Sequence, residues 1–287
     1  MSAAKRFQKP GRKKGITHRT TGVSAKKHLG QHFLTDRTVA ERIAQTLPEE
    51  GPMRVLEIGP GTGVLTGYLL QRPVELLAVE LDAESVRYLQ EVFPLEIATK
   101  NLPYKSFRVL QADFLKLDLN PLFDGEPFAL TGNFPYNIST QIVFRLLQHR
   151  DRIPVFSGMF QKEVAERICA GPGSKVYGIL SVLAQAYYRA EYCFTVPPHV
   201  FDPPPRVDSG VIRLLRRDDT LPDWDEKALT TLVKTAFNQR RKTLRNSLKS
   251  LRISDNLAED AIFDRRPEQL SVPEFIALAK RIAHDTL

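Results

Sequence analysis

A short apolar run at residues 53–58 (MRVLEI) passes directly into Gly59-Pro60-Gly61-Thr62-Gly63 and then into an apolar segment with helical spacing. This junction constrains the chain more than any other feature. A strand that ends in glycines before a helix presents main-chain amides beyond its end, where open α/β sheets receive ligands. Further β-rich runs follow at 74–80, 107–112, 127–132 and 154–160, separated by amphipathic segments at 63–71, 83–93 and 139–149, the last with Ser139 as its expected N-cap. Segments 161–170 and 178–190 also read as helical, with GPGSKVYG between them. The alternation predicts an α/β fold, Rossmann-like, with a predominantly parallel sheet. Five prolines restrict the first half of 192–217 to turns and extended chain, ahead of an edge-like strand at 210–216. Beyond Asp218 the alternation stops and 225–284 reads as all helix, which divides the chain into 1–25, 26–217 and 218–287.

At 287 residues and 42% hydrophobic content, the chain can bury a sizeable core, which excludes a disordered or fibrous protein. Its two cysteines, Cys169 and Cys193, form no CxxC pair, so neither a disulfide framework nor a thiolate zinc site is expected, and no metal is assigned. No run approaches the ~18 apolar residues that span a bilayer. A soluble, cytoplasmic protein without membrane contact is expected. The formal charge is +8, yet nine basic residues and no acid lie in residues 1–30, while 31–287 hold 32 basic against 33 acidic residues. The excess sits in the tail, which reads as a disordered arm that seeks polyanions; an organellar transit peptide is the alternative.

A glycine-rich turn alone would equally suit a dinucleotide, or a tight turn with no ligand. Two acids narrow the choice. Glu80, twenty-one residues beyond Gly59, ends the second strand, where a carboxylate can accept both ribose hydroxyls, and Asp113 in QADF can accept from an adenine amino group. Together these describe an adenosyl ligand. EIGPGTG departs from the GxGxxG spacing of pyrophosphate loops and resembles motif I of S-adenosylmethionine methyltransferases. Glu57 would orient the loop or meet a cationic methionine portion, and it would repel a pyrophosphate; a solvent-facing acid is the alternative.

Asn133-Phe134-Pro135-Tyr136 follows the fourth strand. It resembles the tetrapeptide of enzymes that methylate an exocyclic amino nitrogen of a base. The adenine N6 lone pair is delocalised into the ring, so acceptors must draw its hydrogens and favour pyramidal geometry. The Asn133 side-chain oxygen and the Phe134 carbonyl suit that role, Pro135 stiffens the turn, and Tyr136 offers a stacking face.

The stretches KKHLGQHFL (26–34), LEIGPGTGVLT (56–66), VELD (79–82), GNFPYNIST (132–140), MFQKEVAERICAGPGSKVYGILSVLAQ (159–185), VPPHVFDPPPRVDSGVIRL (196–214) and FNQRRKTLRNSL (237–248) recur in this order. From about Lys26 onward the chain resembles the small-subunit rRNA adenine N6,N6-dimethyltransferases of the KsgA/RsmA type. The resemblance implies S-adenosylmethionine as methyl donor, with S-adenosylhomocysteine as product, and dimethylation of two adjacent adenosines in a hairpin near the rRNA 3′ end during ribosome assembly. It implies cofactor contacts at His32, Leu34, Gly59, Glu80, Asp113 and Asn133, to which Glu57 and Gly61 are added from the loop. His32 stands where many members have Asn, and Phe134 where Leu is usual.

Extruding a base calls for stacking partners. Phe201 is the second candidate beside Tyr136; a hydrophobic plug between domains is its alternative. Residues 234–252 carry seven basic residues and no acid, with 241, 245, 249 and 252 placed on one helical face. Arg240, Arg241, Lys242, Arg245 and Lys249, with Lys175 from the glycine-rich loop, are the candidate phosphate contacts. A monomer acting on rRNA within an assembling subunit is expected. Rivals are the large-subunit rRNA adenine methyltransferases of macrolide resistance, against which FNQRRKTLRNSL argues, a DNA adenine methyltransferase, a mitochondrial transcription-factor relative and a pure assembly factor.

Overall fold

The structure, a computed structural model, describes residues 22–49, 54–217, 224–251 and 253–285. Nearly all of the basic arm, and Arg252, therefore lie outside the described residues. The first described segment carries strand β1 (Phe33–Leu34) and helix α1 (Arg37–Gln45), which Asp36 caps by accepting from the Thr38 and Val39 amides. There follow β2 (Arg54–Ile58), α2 (Thr66–Leu69), β3 (Glu75–Glu80), α3 (Ala83–Glu91), α4 (Phe93–Ile97) and β4 (Ser106–Gln111). The second half of the sheet is built from β5 (Ala129–Asn133), α5 (Ser139–Gln148), β6 (Val155–Gln161), α6 (Lys162–Cys169), α7 (Ile179–Tyr187), β7 (Tyr188–Val196), β8 (Phe201–Asp202) and β9 (Ser209–Arg216). The chain then turns helical, with α8 (Glu226–Asn238), α9 (Leu244–Ser247), α10 (Asp255–Ala258) and α11 (Val272–Asp285).

The seven-stranded sheet has the order β4-β3-β2-β5-β6-β9-β7; its first five strands are parallel, and β9 pairs antiparallel with both β6 and β7. Strand order reverses between β2 and β5, so a crevice opens beyond their carboxyl ends. The two-residue periodicity of strands sends alternate side chains to opposite faces. Val55 and Leu76 pack with α1, α2 and α3, whereas their neighbours Leu56 and Leu77 join α5, α6 and α7. With both faces covered, β3 and β6 are buried along nearly their whole length. Helix α7 is apolar all round because it lies between the sheet-side helices and α8 and α11, carrying one hydrophobic cluster from the sheet into the C-terminal helices. Among the described residues no helix is long and apolar enough to cross a membrane.

Several expectations need correction. The helix expected over 178–190 ends at Tyr187, and β7 occupies the chain that was expected to be helix and turns. Arg189 and Glu191 alternate there with Ala190 and Tyr192, but this short polar alternation follows an apolar helix without a break, so periodicity does not separate them. Strand β9, expected at an edge, is interior, and β7 takes the edge instead. Ile138, not Ser139, flanks α5; the Ser139 hydroxyl donates to the Tyr136 carbonyl at 3.0 Å. Finally, the chain leaves α8 at Asn238 and re-enters a helix only for Leu244–Ser247, so residues 241, 245 and 249 share no continuous helical face.

Candidate active site

All eight residues expected at the cofactor line a single cleft at the strand-order reversal, together with Phe134, Pro135 and Tyr136. The glycine loop forms its floor. Gly59 and Gly61 adopt φ of +66° and +57°, and a Cβ on Gly61 would approach the Phe33 ring to 2.9 Å. Only glycine fits there without displacing β1. Glu80 is buried, and its Oε2 accepts from the Gly61 amide at 3.1 Å while Oε1 accepts from Leu81 and Asp82, both at 2.9 Å. Burial raises the Glu80 pKa above the usual carboxylate value, and the three amides work against that rise. Three of its roughly four acceptor positions are thus engaged by main chain, which locks the loop to β3 and leaves capacity at Oε2.

Glu57 does not face solvent. It is 1% exposed, accepts from the Thr66 hydroxyl at 2.8 Å, and is pushed up to about 8, chiefly by burial and further by the Glu80 charge. At neutral pH in the free protein its carboxyl is largely protonated and serves to hold the loop through Thr66. Asp113 is half-buried, accepts from the Leu115 amide at 3.0 Å and pairs with Lys116 at 3.5 Å. Besides the protonated Glu57, two acids, Glu80 and Asp113, and, among the described residues, no Lys or Arg line this cleft. Such a lining disfavours a pyrophosphate. It fits an adenosyl group with a cationic tail: acceptors for hydroxyls and amines beside apolar Leu81, Phe114 and Leu115.

The Asn133–Tyr136 end of the cleft is held from several sides. The Asn133 Nδ2 donates to the His32 carbonyl at 2.9 Å, which turns Oδ1 to the opposite side of the amide as the available acceptor. The Phe134 amide donates to Met159 at 3.1 Å. Its ring stacks on Phe156 (5.1 Å, 13°) and tilts against Phe160, in a slot that a Cβ on Gly158 would enter to 2.4 Å. The missing side chain at Gly158 leaves the room that the Phe134 ring fills. Tyr136 is anchored by a 2.5 Å contact between its hydroxyl and that of Ser209, and burial raises its phenol pKa. The His32 ring lies 5.5 Å from the Tyr136 ring, with Nδ1 2.7 Å from the Pro203 carbonyl.

Phe201 must be reassigned. Its ring is 4% exposed, packs with the cluster around Phe33, Leu34 and Met159, and does not line the cleft. Strand β8 pairs with β1, with Phe201 opposite Leu34, and this pairing turns the ring into the core. Nor does it plug the space between domains, because its cluster is built from residues of 23–215 alone. Sequence reasoning also missed Thr66, Ser209 and Lys26, which pairs with Asp82 and with Glu84 (3.4 Å) and fastens the segment over the cleft. Quoted stretches contained all three, but nothing in the sequence indicated their partners.

The six basic candidates divide. Lys175, Arg241, Lys242 and Lys249 are exposed. Arg240 donates to the Ser174 carbonyl at 3.0 Å and pairs with Glu268 at 3.5 Å, whereas Arg245 pairs with Asp264 at 2.8 Å and donates to the Ala258 carbonyl at 2.5 Å.

Comparison with known proteins adds three findings. The family model described as "Ribosomal RNA adenine dimethylase" matches residues 22–281. The "Ribosomal RNA small subunit methyltransferase A" of Flavobacterium johnsoniae is 58% identical over 92% of this chain and 97% of its own, and that of Bacteroides thetaiotaomicron 55% identical over 91% and 94%. Among solved structures, a dimethyladenosine transferase from Plasmodium falciparum superposes with TM-score 0.75 (24% identity, 89% and 99% coverage), and the 23S rRNA methyltransferase ErmE with 0.64 (26%, 88% and 99%).

Proposed function

Since the chain belongs to the ribosomal RNA adenine dimethylase family, we propose that its cleft carries out the small-subunit rRNA adenine N6,N6-dimethylation for which its relatives are named, with S-adenosylmethionine as the donor. The substrate class is rRNA; the finer reading is two adjacent adenosines in a hairpin near the 3′ end, met by a cytoplasmic monomer within an assembling subunit. Residues 26–217 form the catalytic part and 218–287 the part that holds RNA.

Bound S-adenosylmethionine supplies a methyl group on a sulfonium, which leaves as a neutral thioether. The protein therefore contributes orientation and electrostatics more than a strong base. Glu80 offers its remaining acceptor capacity to the ribose, Asp113 offers its carboxylate to the adenine amino group, and the amides of the glycine loop meet the methionine end. His32 and Leu34 close the cleft from the N-terminal segment. At the target base, Asn133 Oδ1 and the Phe134 carbonyl accept the N6 hydrogens and localise the lone pair on nitrogen, while Tyr136 stacks on the ring. The observation that carries this reading is the Asn133 amide, held through Nδ2 by His32 so that Oδ1 is free to accept.

The test is methyl transfer from S-adenosylmethionine to small-subunit particles prepared from cells lacking the modification, with N6,N6-dimethyladenosine read by mass spectrometry. The wild type forms it. Asn133→Ala, folded and saturated with cofactor, loses on the order of 10²-fold or more in rate, as when one preorganised hydrogen-bonding group is removed from a reacting centre. Near-normal turnover in that variant would overturn the assignment.

A further inference from the structure

We propose that Arg240 acts as a clasp and not as a phosphate ligand, assembling one cationic surface for the rRNA backbone out of three separate stretches of chain. The inference rests on the function proposed above and concerns how the RNA is held.

The guanidinium uses two directions of its fork. Nη2 donates to the Ser174 carbonyl at 3.0 Å, and Nε pairs with the Glu268 carboxylate at 3.5 Å. Glu268 in turn accepts, through its main-chain oxygen, the Gly173 amide at 2.7 Å. The 171–178 loop, the turn after α8 and the 3-10 turn Pro267–Gln269 are thereby joined at one point. Both side chains of the ion pair are largely covered, Arg240 at 35% and Glu268 at 23% exposure.

Around this joint stand Lys175, one residue beyond Ser174, then Arg241 and Lys242 beside Arg240, and Arg266, two residues before Glu268; all four are exposed. None of the four pairs with a carboxylate among the described residues. Elsewhere in the C-terminal part, arginines are neutralised: Arg245 by Asp264, Arg265 by Glu274 and Arg281 by Asp260. Four unpaired cations thus stand around the clasp, and such a set suits the phosphates of a folded RNA. Arg240 itself is committed to its two protein partners. Lys175 lies nearest to it, because the adjacent Ser174 accepts the Arg240 hydrogen bond, in a loop also held by Glu268 and by Tyr177, whose ring is buried against Phe237.

Glu268→Gln gives a test in which the two readings differ in sign. If charge alone governs binding, removing an acid from a cationic surface strengthens rRNA affinity. If the clasp governs it, affinity falls by about tenfold, the effect of losing one largely covered ion pair. Arg240→Lys keeps the charge but cannot span both partners, so it should lose as much. Binding of small-subunit rRNA is measured across a salt series, with cofactor affinity and thermal melting as the check that each variant is folded. Lys175→Gln should make the salt dependence shallower in the wild type and change little further in the Glu268→Gln background. The proposal is overturned if Glu268→Gln binds as well as or better than wild type, if Arg240→Lys is neutral, or if the Lys175 and Glu268 losses simply add. Failure of the wild type to bind or dimethylate the rRNA would instead overturn the underlying functional reading.

Discussion

In the cleft, the polar groups are already held by protein partners before any ligand arrives. Glu80 holds three main-chain amides, Glu57 holds Thr66, Asn133 is held by His32 and Tyr136 by Ser209. On the C-terminal side, Lys175, Arg241 and Lys242 stand in solvent. Under the function proposed above, the difference reflects what each region recognises. A reacting nitrogen requires groups fixed within fractions of an ångström, which only buried, hydrogen-bonded side chains provide. A phosphate backbone is long and repetitive, and exposed cations on mobile stems meet it with little prior ordering. Substitutions in the cleft should therefore disturb geometry and stability, and those on the cationic face should disturb salt-dependent affinity.

Phe201 offers the sharpest way to break this division. Phe201→Ala should cost about 3–5 kcal/mol of stability, the usual penalty for emptying a buried aromatic site, seen as a lowered melting temperature. Phe201→Leu should methylate almost normally. Loss of methylation in Phe201→Leu at unchanged melting temperature would return the ring to the base. Glu80→Ala should weaken S-adenosylmethionine binding by about 1–3 kcal/mol by calorimetry, because it strands buried donors; unchanged affinity would remove Glu80 from the site. Glu57 gives a smaller, pH-linked effect. Its carboxyl is pushed up to about 8 in the folded protein, against an ordinary value of 4.5. The native state therefore holds a proton that the unfolded chain releases, and stability falls as pH rises through that window, with no penalty below it and the full penalty above. Glu57→Gln should flatten the melting temperature between those pH values, and an unaltered profile would contradict the protonated carboxyl. The smallest effect lies on the cationic face. Arg241→Ala should make the slope of log affinity against log salt shallower by about 0.7–0.9, while Arg245→Ala, already paired with Asp264, should leave it unchanged. Equal shifts in both would show that pairing within the protein does not decide which arginines meet RNA.

Much of the cleft was legible because its parts are local. A strand, a glycine loop and an acid at each following strand end are short patterns whose geometry comes from the backbone itself, and parallel strands put their ends together whatever lies between them. Asn133-Phe134-Pro135-Tyr136 is readable for the same reason. Phe201 was not, because a lone aromatic near prolines is compatible with a rim or a core. Its burial follows from the pairing of Phe201 with Leu34, 167 positions apart in sequence, a contact that no local pattern encodes. Strand β7 was hidden similarly: a half-polar edge strand has too weak a signature to stand apart from the apolar helix preceding it.

By itself, the sequence determined the α/β alternation, the glycine loop with its acids, the reacting tetrapeptide and the family, since each depends on neighbours within a few residues or on motif order. Tertiary structure alone decided that Glu57 is buried and raised in pKa, that Phe201 belongs to the core, and that Arg240 and Arg245 are engaged by protein while Arg241 and Lys242 are exposed. Those outcomes depend on which distant atoms exclude water from a group or supply its counter-charge. Asp264 and Glu268, the partners that distinguish one arginine from the next, lie outside the acid-free run in which the arginines stand.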